Sequence, residues 1–198
     1  MDCADIQFDA GSHTYTLDDK VVPSVTQVIN FTKGPKPIYP AGSAEKGTRI
    51  HRVLELDDKA QLSLAYVKLI ADRPMYQVLS QWRQWREKYP GKMVGNEQLY
   101  CGMLDGMLFA GTIDRIWRIK AGDIVLDIKS GRMVPKQHAM QVWAYAHLHT
   151  ANTDEEVVHR GCAYVSESGV NVRYYDDSAS MVLFKEKLVA YYEEMGNE

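Results

Sequence analysis

The stretch "GTIDRIWRIKAGDIVLDIKSG", residues 111–131, decides how the rest of the chain is read. In its second half, a side-chain period of two sends Ile124, Leu126 and Ile128 to one face of a strand and Val125, Asp127 and Lys129 to the other. One face is apolar; the other carries a carboxylate and an ammonium. On a solvated sheet Asp127 and Lys129 would be an ordinary ion pair, whereas on a covered face each charge needs a partner or a metal. Asp114 changes the balance, because a neighbouring strand brings it towards Asp127 at a strand end, where two like charges repel. A hard divalent cation resolves that repulsion with oxygen ligands, commonly a couple of carboxylates together with waters and substrate phosphate oxygens. The backbone carbonyl of Ile128 is a further candidate ligand. Lys129 is then placed to hold a water in line with a phosphorus and to favour its hydroxide form. The expected chemistry is phosphodiester hydrolysis.

Outward from this stretch, the pattern between Met93 and Lys129 predicts an antiparallel meander punctuated by "LDGM" at 104–107 and "KAGD" at 120–123. Upstream, "HTYTLDDKVVPSVTQVI" (13–29) predicts a hairpin turning at Asp18–Asp19, then a short helix capped by Ser24. Residues 33–43, "KGPKPIYPAGS", predict a loop and a candidate substrate-facing lid, in which Tyr39 is read first as a structural residue. Helices are expected over roughly Ala44–Leu56, Ala60–Ala71 and Met75–Tyr89, the last supplying Val78, Trp82 and Trp85 to a packed face. A helix from Pro135 to about His149, two more strands, and a closing helix over 178–194 complete the chain. The fold class is α/β (mixed α+β): one domain over 1–198, a hairpin and helical elaboration over 1–90, and a core over 91–198 built on a mixed sheet flanked by helices.

Composition narrows the function classes. Hydrophobic residues make up 45% and charged residues 25%, with a net charge of −3, so nucleic-acid binding must come from a local basic groove rather than global charge. Cys3, Cys101 and Cys162 are far apart and too few for a four-thiolate zinc or iron–sulfur site, which predicts no cluster and a reducing, cytoplasmic setting. No segment reads as a signal peptide or a membrane span.

"GTID", "DIVLDIKSG" and "QVWAYA" in that order resemble the PD-(D/E)xK nuclease superfamily, closest to its RecB-like exonuclease branch, which includes phage and mitochondrial genome-maintenance exonucleases. "KGTRIHRVLE" (46–55) resembles that branch's helix with a metal-proximal histidine, and "VPSVTQVI" a segment near the start of several phage members. The resemblance implies a restriction-endonuclease-like core, with Asp114 and Asp127 as metal carboxylates, Lys129 as catalytic lysine and His51 as an extra metal ligand. It also implies that Gln141 and Tyr145, which share a helix face, stand beside the site. Glu97, in "NEQLY", resembles an acidic position that precedes the first aspartate in some members. The implied cofactor is Mg2+ or Mn2+. The implied partners are DNA with a free end and a single-strand annealing or recombination protein, in phage or bacterial recombination, replication or repair; an oligomer is compatible with the sequence.

Plainer readings stand beside these. His51 adjoins Ile50, Val53 and Leu54 and also suits the edge of a packed helix face. His13, His138, His147, His149 and His159 are read as surface or core-edge residues, and Tyr145 and Trp143 as packing residues first. Arg49 and Arg52, with Lys46, on the histidine helix, and Arg132 and Lys136 after the D-x-K strand, are candidate phosphate contacts, although charge clusters are usually solvated faces. Two alternatives to a nuclease remain: a nucleic-acid-binding or assembly subunit with this fold that does not cut, and an unrelated protein whose D-x-K is an ion pair.

Overall fold

The computed structural model describes residue 3 and residues 5–32, 43–63 and 73–195, without the side chains of 43–46 and 73. The expected lid and Tyr39, the side chain of Lys46, and most of the helix expected over 60–71 lie outside the described residues. Ala60, with a φ of 54°, and the irregular residues 61–63 show that no helix begins at Ala60.

A small antiparallel sheet opens the chain: β1 (Gln7–Asp9), β2 (Thr14–Leu17) and β3 (Lys20–Val22). Asp18 and Asp19, at φ 50° and 60°, turn β2 into β3, a conformation that short polar side chains tolerate. Ser24 caps α1 (Val25–Asn30) by accepting from the Gln27 amide while the Gln27 side chain accepts from the Ser24 amide, a reciprocal capping box. The Ala110 amide donates to the Pro23 carbonyl at 3.0 Å and joins this unit to the main sheet.

The main sheet has the order β4-β5-β6-β7-β8, with β4 (Lys92–Leu104), β5 (Met107–Ile119), β6 (Gly122–Lys129), β7 (Val157–Ser166) and β8 (Gly169–Tyr174). Asp105 and Gly106, both at positive φ, make the tight turn expected of an Asp-Gly pair between β4 and β5. β6 and β7 run parallel and every other neighbouring pair is antiparallel. The crossover that a parallel pair requires is α4 (Pro135–Asn152), with proline at its first turn. On one face of the sheet α1, α4 and α5 (Ala179–Met195) bury Val28, Phe109, Val125, Trp143 and Phe184 together. The opposite face is covered by α2 (Ser43–Asp58) and α3 (Arg73–Lys88), whose Leu54, Val78 and Trp82 pack on Ile128 and Val165. Trp85 extends this packing onto Trp117, Ile124 and Leu126. The alternation expected for 124–129 is therefore observed, and both faces are covered.

Several readings are corrected by packing. Cys3 and Cys101, 98 residues apart in sequence, are joined by a disulfide, which runs against the reducing setting expected from the cysteine pattern; Cys162 is a buried free thiol. His149 is buried and bonds Asp123 at 2.9 Å. His138, also buried, accepts from the Val134 amide through Nδ1 and lies 2.7 Å from the Tyr164 hydroxyl. Burial, reinforced by the Lys129 charge, pushes His138 down to about 4. The unfolded chain therefore takes up a proton at this histidine near pH 6.5 that the folded chain refuses, so the contribution of His138 to stability is full above pH 6.5 and is lost as pH falls towards 4, by up to about 3 kcal/mol. Urea unfolding of the wild type and of His138→Phe between pH 7 and 4.5 checks this: the variant should lose most of that slope, and equal slopes would refute the assignment.

Candidate metal and active site

The β5–β6 ladder pairs Ile119 with Gly122 and ends at Arg115 opposite Leu126, one step before Asp114 and Asp127 would face one another. The strands part there, and the carboxylates occupy the opening. Asp114 Oδ2 accepts the Ile128 amide at 2.6 Å and lies 3.5 Å from His51 Nδ1 on α2. Glu97 on β4 completes a trio: ligand atoms from His51, Glu97 and Asp114 all lie within 4.8 Å of one another. Glu97 itself adopts a left-handed backbone, φ 51°, inside a strand, a conformation that a non-glycine residue holds only when its surroundings impose it. Burial, and then repulsion from Asp114, push the Glu97 carboxyl up to about 7 against the pull of Arg115 and His51. An imidazole and two crowded carboxylates form a donor set that fits a divalent cation, which would relieve the crowding.

Asp127 and Lys129 form a second group. Lys129 Nζ lies 2.7 Å from Asp127 Oδ2 and donates to Gln141 Oε1 at 2.9 Å. Gln141 Nε2 in turn donates to the Tyr145 hydroxyl at 3.0 Å. The ion-pair reading of D-x-K is thus geometrically right, but the carboxylate is buried, Asp127 being 2% exposed, while the Lys129 side chain is 23% exposed towards a cleft. Burial pushes the Asp127 carboxyl upward, Asp114 adds to the push, and Lys129 opposes it. Burial also works against the Lys129 charge, yet the adjacent Asp127 outweighs it and holds the ammonium above its ordinary range. Gly111 lets α4 approach, since a Cβ there would meet the Tyr145 ring at 2.7 Å.

All the candidate chemical residues therefore fall in one region, although Asp127 stands outside the tight trio and Ile128 enters it by its amide, with its side chain fully buried. The candidate phosphate contacts are spread around it: Arg49, Arg52, Arg132 and Lys136 are exposed, and Arg52 is paired with Glu55 at 2.7 Å. Lys136 borders a cavity with Phe31, Met140 and Leu183, away from the cleft of about 430 Å³ that Lys129 shares with Ser130, Ser166, Ser168 and Asn171. Two neighbours escaped the sequence reading. Cys162, paired with Asp127 across β6 and β7, puts its thiol 3.9 Å from Asp127 Oδ2. Arg115, wholly buried, bonds Glu97 Oε1 at 2.9 Å and Asp58 Oδ2 at 2.6 Å. An arginine directly after the first aspartate, at an apolar strand position, was the available signal.

The family model for the PD-(D/E)XK nuclease superfamily matches residues 31–191. The chain belongs to the PD-(D/E)XK nuclease superfamily. The sheet order and flanking helices are those of that superfamily's restriction-endonuclease-like core, as the sequence resemblance implied. A crystal structure of a protein from Eubacterium rectale, provisionally named an exonuclease, aligns with a TM-score of 0.58 at 12% identity over 87% of this chain and 79% of that one. The structure of SSO0001 aligns with a TM-score of 0.43 at 16% identity, over 89% of this chain and 78% of that one. No curated protein matches the sequence. As a superfamily member the chain is a nuclease whose fold serves nucleic acid as substrate, and His51, Glu97 and Asp114 are suited to a divalent metal. Among the described residues, no helix is long and apolar enough to cross a membrane.

Proposed function

We propose that the protein is a Mg2+- or Mn2+-dependent deoxyribonuclease that hydrolyses DNA from a free end. The observation that carries the reading is the His51, Glu97 and Asp114 trio beside the hydrogen-bonded Asp127–Lys129–Gln141 chain, on a nuclease fold. His51, Glu97 and Asp114 would hold the cation, with Asp127 and the Ile128 carbonyl as further ligands. Such a cation supplies Lewis-acid stabilisation of the phosphoryl oxygens and a more acidic water. Lys129 orients the attacking water and stabilises negative charge as it builds at phosphorus. Gln141 fixes the Lys129 ammonium through its carbonyl oxygen, and Tyr145 fixes Gln141, so the amine meets the substrate already oriented. Arg132, Lys136, Arg49 and Arg52 supply backbone phosphate contacts, which makes binding weaken with salt. The setting we infer is phage or bacterial recombination, replication or repair, in the cytoplasm, alongside a single-strand annealing or recombination protein.

End-labelled linear DNA and closed circular DNA, each incubated with Mg2+, with Mn2+ and with chelator, test the reading. Metal-dependent loss of linear DNA with circles spared is expected. Degradation of circles would replace an exonuclease with an endonuclease, and salt-sensitive binding without cleavage under any metal would leave a non-cutting DNA-binding subunit.

A further inference from the structure

We propose that Arg115 is the positioning residue that holds the metal trio in its geometry, an inference that rests on reading His51, Glu97 and Asp114 as a cation site. The Arg115 guanidinium is 0% exposed and touches all three elements that carry the trio. One nitrogen, Nη1, donates to Glu97 Oε1 at 2.9 Å and also to the backbone carbonyl of Asp114 at 2.6 Å. Nε donates to Asp58 Oδ2 at 2.6 Å. Asp58 is seven residues, about two turns, beyond His51 on α2, so the two share a helix face. Asp58 is gripped from behind as well, by Trp82 Nε1 at 2.8 Å and by Arg86. A single planar fork thereby links β4, β5 and the histidine helix.

Desolvating a guanidinium is costly unless its partners are well placed, and here those partners are a ligand carboxylate, a ligand backbone and the ligand helix. The left-handed backbone of Glu97 needs such an anchor, because an unrestrained glutamate would relax to an extended conformation and carry its carboxylate away from Asp114. Arg115 touches no reacting atom; it acts through Glu97 and Asp58. A merely structural ion pair would change stability and leave the ion's affinity alone.

The test measures Mn2+ affinity of the full chain by electron paramagnetic resonance and calorimetry, for the wild type, Arg115→Lys, Arg115→Met, Glu97→Gln and Arg115→Lys with Glu97→Gln, with circular dichroism as the check on folding. Arg115→Lys should weaken Mn2+ binding by about 10- to 100-fold, as loss of a partner behind metal ligands does. With Glu97 already Gln, the same Lys substitution should cost clearly less than in the wild type, because only the route through Asp58 and the Asp114 carbonyl remains. A folded Arg115→Lys with wild-type affinity, or an equal loss in both backgrounds, overturns the inference. If neither Arg115 variant folds, Asp58→Asn decides: weakened Mn2+ binding supports the positioning role and unchanged affinity overturns it. Wild-type protein that binds no Mn2+ at millimolar concentration sinks the cation-site reading itself, and the inference with it.

Discussion

Lys129→Met is expected to lower DNA cleavage by roughly 100- to 1,000-fold, the usual loss when one charged donor aimed at a developing oxyanion is removed. The loss should fall on kcat, since the cations proposed to contact phosphate and the His51, Glu97 and Asp114 trio are untouched. Mn2+ affinity should fall far less than cleavage does, because His51, Glu97 and Asp114 remain while only Asp127 loses its counter-charge. The fold should survive, because burial and Asp114 already bias Asp127 towards its protonated form, and a neutral Asp127 needs no ammonium opposite it. Single-turnover cleavage at saturating Mg2+, together with Mn2+ titration, checks both halves. A variant that cleaves within a few-fold of wild type would show that Lys129 is only an ion-pair partner.

Trp82→Ala is expected to cost about 3–5 kcal/mol, as for other large-to-small core changes. Trp82 is wholly buried, stacks on Trp85 at 5.0 Å between ring centres, and donates to Asp58. At about 2–4 °C per kcal/mol for a chain of this size, Tm should drop by roughly 6–20 °C. Trp82→Phe, which keeps most of the volume but loses the N–H, should fall well short of that. Calorimetry on the three proteins distinguishes the contributions, and a Tm loss under about 3 °C for the alanine variant would mean that α3 is not anchored through this ring.

Much of this site was legible because its signals are local. The period of two at 124–129, the Asp-Gly turn before β5 and Pro135 at the head of α4 each fix where side chains point without reference to distant residues. Gln141 and Tyr145 were picked out by the family resemblance, their i and i+4 spacing puts them on one helix face, and they are hydrogen-bonded. What was hidden depends on register between elements far apart in sequence. The Arg115 network needs β4 to bring Glu97 across from Asp114 and the end of α2 to bring Asp58 beneath the sheet. The Cys3–Cys101 bond, the burial of His138 and His149, and the choice of β6 and β7 as the parallel pair are likewise products of assembly, with no local pattern to announce them.

The parting of β5 from β6 gives Asp114 a double employment. Its carboxylate stands in for the missing rung of the ladder by accepting the Ile128 amide, while the same group faces His51. Truncating it would orphan a buried backbone donor, a defect of about 1–3 kcal/mol, besides removing one of the proposed metal ligands. Genetic loss at this codon would therefore conflate a crippled scaffold with a crippled reaction.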